Sequence, residues 1–163
     1  MRFVWTERKG IDVVKWGLGE DCSHFGLEFS SGWVSHWTVG GYRFEKQEKF
    51  YETRKIVHAI HHKLPGAAEV YIYNKLNDKH APKRYDWYYV MWLFWNSINR
   101  VLFKIPIPKT GTSDSKNALI CHEAIELVPK EFLPKFYQSI DFNQEAINTP
   151  HRLYEVIKGV GQA

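Results

Sequence analysis

At 163 residues, 44% of them hydrophobic, the chain is long enough for one compact domain (1–163) and too short for two of ordinary size. A charged fraction of 25% excludes an intrinsically disordered polymer. The excess of 22 Lys and Arg over 18 Asp and Glu, a formal charge of +4, is too small and too evenly spread to indicate a nucleic-acid partner.

In chain order, Phe3 to Trp5 reads as a short strand. Val13, Val14 and Trp16 follow in a brief amphipathic helical turn that ends at the Gly17/Gly19 loop. Phe25 to Phe29 and Trp33 to Thr38 are strand-like runs separated by Ser30-Ser31-Gly32, a composition suited to a tight hairpin, and Gly40-Gly41 closes it. Glu45 to Leu64 carries Phe50, Val57, Ile60 and Leu64 at helical spacing before Pro65-Gly66, which predicts a helix. Glu69 to Tyr73 and Val101 to Ile105 are β-branched and aromatic, as strands are, while Tyr85 to Asn96 is long enough for a helix with Asp86 near its start. A polar loop, KTGTSDSKN, leads to a predicted helix over Ala118 to Val128 ended by Pro129, and Thr149-Pro150 opens a last helical turn.

Two cysteines, Cys22 and Cys121, cannot make a dense disulfide framework, so a reducing compartment is expected. The N-terminal residues, with Arg2, Glu7, Arg8 and Lys9, hold no signal-peptide core. The most apolar run, Trp87 to Trp95, is well short of the roughly 20 residues a membrane helix needs. A cytoplasmic chain without a transmembrane segment is the expectation.

The side chains that could carry chemistry are few. Cys121 falls early in the predicted helix, where unpaired N–H groups and the helix dipole would favour a thiolate; an isolated cysteine on an apolar face is also a common core residue. Alternation places His24, Gly26 and Glu28 on one face of their strand and Phe25, Leu27 and Phe29 on the other. If Ser30-Ser31-Gly32 forms a three-residue loop, Phe29 pairs with Trp33 and His36 faces Gly26, one diagonal step from His24. His36 can then orient His24, or the two are simply a pair of surface histidines on an exposed sheet face; a two-residue loop would put them on opposite faces. His58, His61 and His62 have a spacing that can gather imidazoles on a helix, but no recognised ligand pattern accompanies them. Cys22, His24, His36 and Cys121 together would be a zinc-type ligand set, an alternative to catalysis, although no metal or cofactor is expected on the first reading.

Ser23-His24-Phe25-Gly26, His36 twelve residues after His24, Tyr85-Asp86 before an aromatic helix, Cys121-His122-Glu123, and Thr149-Pro150 with Leu153 together resemble the permuted papain-like hydrolases. These include the YiiX-like and lecithin-retinol-acyltransferase-like branches of the NlpC-type superfamily. The resemblance implies an α+β papain-like fold, circularly permuted, with an antiparallel sheet and a nucleophile-bearing helix packed against it. It implies Cys121 as nucleophile, His24 as general base and His36 as the polar third residue, with Tyr85, Asp86 and Ser23 beside the substrate. His36 in that third place is nearer the acyltransferase-like pattern, while the short motif at Cys121 is less full than those enzymes carry. The expected activity is a thiol hydrolase or peptidase acting on a peptide or acyl substrate, such as bacterial cell-wall peptide, in a bacterial or phage-encoded protein. An acyltransferase or esterase of the same fold, and a binding module without turnover, are the alternatives.

Overall fold

The computed structural model describes residues 1–38, 40–78, 84–106, 118–119, 121, 125, 127–133, 135–138, 140 and 149–160. Strands β1 (Arg2–Arg8), β2 (His24–Glu28), β3 (Trp33–Thr38), β4 (Gly41–Lys46) and β5 (Arg54–His61) form a five-stranded sheet in the order β4-β3-β2-β1-β5. Every neighbouring pair is antiparallel. Helices α1 (Val13–Leu18), α2 (Gln47–Glu52), α3 (Gly66–Asn77), α4 (Trp87–Phe103), α5 (Lys135–Gln138) and α6 (Pro150–Val160) complete an α+β fold. The short β6 (Arg84–Tyr85) and β7 (Ala118–Leu119) pair parallel. No helix among the described residues is long and apolar enough to cross a membrane.

The sheet has two unlike faces. Phe3, Trp5, Phe25, Leu27, Phe29 and Trp37 pack on one side with Ile72 and Leu76 of α3 and Leu153, Val156 and Ile157 of α6. The other face is covered by α2, whose Phe50 joins Val4 and Val34 in a smaller apolar cluster. β1, β2 and β3 thus bury alternate residues in two different layers, as period-two geometry requires. The hairpin between β2 and β3 has the three-residue loop: Phe29 N–H donates to Trp33 O at 2.8 Å and Gly32 N–H to Phe29 O at 3.0 Å. Gly32 takes a φ of 80°, the left-handed conformation that closes such a loop.

Four expected elements are different in the structure. Instead of one helix over Glu45–Leu64, the chain forms the end of β4, the short α2 and β5. Here a β-bulge produced the misleading period. Trp5 pairs with His58 but Thr6 pairs with Ile56, so Val57 is inserted and packs with Ile60 on the same core layer. Three-residue spacing on one face is ordinarily a helical mark. The apolar run Glu69–Tyr73 lies inside α3, where Ala68, Ile72 and Leu76 recur every four residues and are buried. Val101–Phe103 continues α4, which ends at Lys104 with φ 59°. Over Ala118–Val128 the described residues include no α-helix: Ala118 and Leu119 pair with β6, and Cys121 stands in a 3-10 turn. The polar loop before them, together with His122 and Glu123, lies outside the described residues.

Candidate active site

Two buried histidines face the α2 side. In the β2–β3 ladder Gly26 pairs with His36, which sets His24 one diagonal step away on the same face. Their rings meet with His24 Nε2 2.9 Å from His36 Nδ1. Phe50 of α2 packs against both, with ring centroids 6.2 Å from His24 and 4.9 Å from His36. The glycine between them makes room: a Cβ at Gly26 would stand 3.2 Å from Val34 Cγ1 and 3.5 Å from Phe50 Cζ.

The outer nitrogen of His36 continues the chain, with Nε2 3.0 Å from Glu45 Oε1. Glu45 lies opposite Val34 in the β3–β4 ladder while His36 lies opposite Arg43, so the contact is again a cross-strand diagonal. Glu45 is not among the expected site residues because its stretch of sequence reads as the start of a helix. Its alternation with Arg43 in a third strand was the available signal.

The proton positions follow from donor and acceptor arithmetic. An ionised carboxylate only accepts, so His36 donates from Nε2 and carries a bare Nδ1. His24 must then donate from Nε2, which leaves His24 Nδ1 with a lone pair. Both rings are held neutral. Burial, followed by the nearby Arg54 and Arg43 guanidiniums, lowers His36 to about 3. Burial first, then Arg54 and His36, brings His24 well below the ordinary imidazole value. The close His36–Glu45 contact is therefore a hydrogen bond from a neutral ring, not an ion pair, despite its ion-pair distance.

Cys121 is 4% exposed and belongs to the apolar cluster of Phe25, Trp5 and the helices. Its layer is opposite the one that His24 and His36 face. Cys22 lies in that same cluster, because the chain leaves the sheet at Ser23 and does not extend β2 back on the His24 face. Cys22 is fully buried and close enough to Cys121 for the two thiols to influence each other; burial first, then the Asp21 and Glu20 carboxylates, raises the Cys22 thiol far above its usual range. The histidine pair and the two cysteines thus form separate groups near the start of β2.

The expected substrate residues have local partners. Ser23 Oγ donates to Asp12 Oδ2 at 2.5 Å, and Asp12 itself caps α1 by accepting from Lys15 N–H at 2.9 Å. Asp86 is buried and caps α4, accepting from Tyr89 N–H at 2.9 Å. Tyr85 contributes backbone to β6. His58, at the spacing that suggested a helix face, is on β5 and bonds Asp21. A cleft between α1 and α4, with Lys15, Glu20, Arg100 and Lys104 in its lining, includes none of the paired imidazoles. Comparison of the chain with family models, with curated proteins and with solved structures found no match.

Proposed function

We propose that the protein is a thiol hydrolase of the permuted papain-like kind, cleaving an amide or peptide bond through an acyl-enzyme on Cys121. The observation that carries this reading is the hydrogen-bonded series Glu45–His36–His24, whose proton arithmetic leaves His24 Nδ1 as an acceptor. Such an arrangement suits a general base oriented by a second polar group. When His24 takes a proton, its Nε2–H remains on His36, and Glu45 at the far end compensates the new charge. The sequence resemblance supplies Cys121 as the nucleophile.

In the reaction, the Cys121 thiol gives its proton to His24 Nδ1 and the sulfur attacks the substrate carbonyl. The tetrahedral intermediate is stabilised by the Cys121 backbone N–H. Collapse breaks the C–N bond, and the amine leaves with the proton from His24. Water, deprotonated by the same ring, then hydrolyses the thioester and returns the thiol. Since Cys121 packs in the Phe25 layer, the turn that carries it has to bring the sulfur around the start of β2 to His24. Its neighbour Cys22, two residues before His24, marks that end of the strand.

A binding module without turnover is the second reading, favoured by the 4% exposure of Cys121 in the opposite layer. An esterase or acyltransferase of the same fold would share the chemistry of the first. Incubation with an activated acyl ester, followed by peptide mass spectrometry, decides between turnover and binding. The hydrolase reading expects an acyl adduct on Cys121 that hydroxylamine removes and that His24→Ala abolishes. Absence of an adduct on Cys121 in the wild type overturns it and leaves the binding module.

A further inference from the structure

We propose that Asp21, Cys22 and His151 form a binding site for a zinc-class divalent transition metal, independent of the thiol-hydrolase reading. One donor atom from each residue, a carboxylate oxygen, Cys22 Sγ and an imidazole nitrogen, lies within 4.8 Å of the other two. Zinc holds such donors at about 2.0–2.3 Å, which sets neighbouring ligands roughly 3–4 Å apart in a tetrahedron. Binding draws the donors in from their 4.8 Å spread and parts the hydrogen-bonded Asp21–His151 pair.

The donor chemistry selects the metal. A thiolate with an imidazole is a poor site for calcium or magnesium, which take oxygen ligands, and a good one for zinc or its cobalt substitute. Support around the ligands is already built. Asp21 Oδ1 lies 2.5 Å from His151 Nδ1, and its other oxygen lies 2.8 Å from His58 Nε2. His58 is itself fixed, with its ring lying flat on Tyr154 at 3.7 Å between centroids and 6° between planes. A neighbour outside the ligand set that hydrogen-bonds a ligating carboxylate, as His58 does Asp21, is the usual support of a metal site.

The position in the fold gives the metal a purpose. Asp21 and Cys22 precede β2, whereas His151 is in the first turn of α6, so a bound ion ties the last helix to the middle of the sheet. Thr149 reinforces the same junction by donating from Oγ1 to Glu20 Oε1 at 2.7 Å. Cys22 is fully buried, while Asp21 and His151 retain 45% and 28% of their side-chain exposure, which provides a path of entry and leaves the fourth position to water.

The test is titration of the intact, chelator-treated protein with cobalt(II), read as the thiolate-to-cobalt charge-transfer band, with zinc content measured in parallel. One metal per chain and a band that zinc displaces are expected. The band is lost in Cys22→Ser and retained in Cys121→Ser. His151→Ala weakens binding strongly, and His58→Ala weakens it about 10–100-fold through the supporting contact. If Cys22→Ser fails to fold, the His151→Ala and Cys121→Ser titrations still decide. No stoichiometric metal, a band that survives His151→Ala with unchanged affinity, or a band lost in Cys121→Ser overturns the site. None of these outcomes alters the acyl-adduct test on Cys121.

Discussion

His24 Nε2 and His36 Nδ1 lie 2.9 Å apart, so two imidazoles from neighbouring strands share one hydrogen bond. Their meeting depends on the three-residue loop at Ser30-Ser31-Gly32, since a loop one residue shorter would send His36 to the other face. A neutral buried pair of this kind costs desolvation and must be fully hydrogen-bonded to persist. Glu45 completes the pairing from β4.

The pair should make the fold sensitive to acid. The native pKa of His36 is lowered to about 3 and that of His24 is also lowered, whereas unfolded histidine titrates near about 6.5. Between those values the unfolded chain binds protons that the native protein refuses, so stability is full above about pH 6.5 and falls as pH drops towards 3. His36 adds a slope of about 1.4 kcal/mol per pH unit in that window, and His24 acts in the same direction. Urea midpoints measured from pH 7 to pH 4 should therefore fall steeply in the wild type and less steeply in His36→Gln. Parallel declines in the two proteins would show that His36 is not held neutral.

Gly26 should not tolerate a methyl group. Its Cβ would press on Val34 Cγ1 at 3.2 Å and meet Phe50 Cζ at 3.5 Å, and both side chains are buried in one small cluster. Overpacking of this kind costs about 1–3 kcal/mol. Gly26→Ala should lower the denaturant midpoint accordingly, and a change below about 0.5 kcal/mol would mean that Phe50 moves aside freely.

The hairpin and its histidines were legible because turn composition and period-two alternation act locally; Ser30-Ser31-Gly32 suits a tight loop, and its three-residue length is seen in the Phe29–Trp33 pairing. The α+β class was legible for the same reason. Glu45 was not, since a bulge at Val57 lent the following strand a helical spacing and drew Glu45 into the same false helix. The sequence neighbourhood of Cys121 reads as a helix start; the pairing of Ala118 and Leu119 with Arg84 and Tyr85 is a contact between distant segments that no local pattern reveals. Nor did spacing point to Asp21, His58 and His151, which come together from a loop, a strand and the last helix.

Asp86 tests a more modest expectation. Its side chain accepts from the Tyr89 N–H at the start of α4, a donor that would otherwise lack an intrahelical partner. Asp86→Ala should destabilise the protein by about 0.5–2 kcal/mol, and Asp86→Asn by less, because asparagine caps nearly as well. Thermal unfolding of the two variants checks the order. An equal loss in both would point to the charge of Asp86, not its capping.

The two thiols should separate cleanly in timed alkylation of the metal-free protein near neutral pH. Cys22 is fully buried beside two carboxylates, and access to it requires that the junction with α6 open; its labelling should be slow and should not respond to changes at His24. Cys121 is nearly as buried, at 4% exposure, so burial alone predicts equally slow labelling. The hydrolase reading predicts something else. If the turn carrying Cys121 swings its sulfur to His24 Nδ1, the ring draws off the proton and Cys121 labels faster than Cys22. General-base assistance contributes about 10²–10⁴-fold in comparable proton transfers, so His24→Ala should remove most of the advantage while Glu45→Gln, which disturbs only the far end of the hydrogen-bonded series, removes less. Peptide mass spectrometry at several times gives both rates in one experiment. Equal rates for the two cysteines, unaltered by His24→Ala, would mean that Cys121 stays in the Phe25 layer, and the imidazole pair would then serve a protein that binds without turnover.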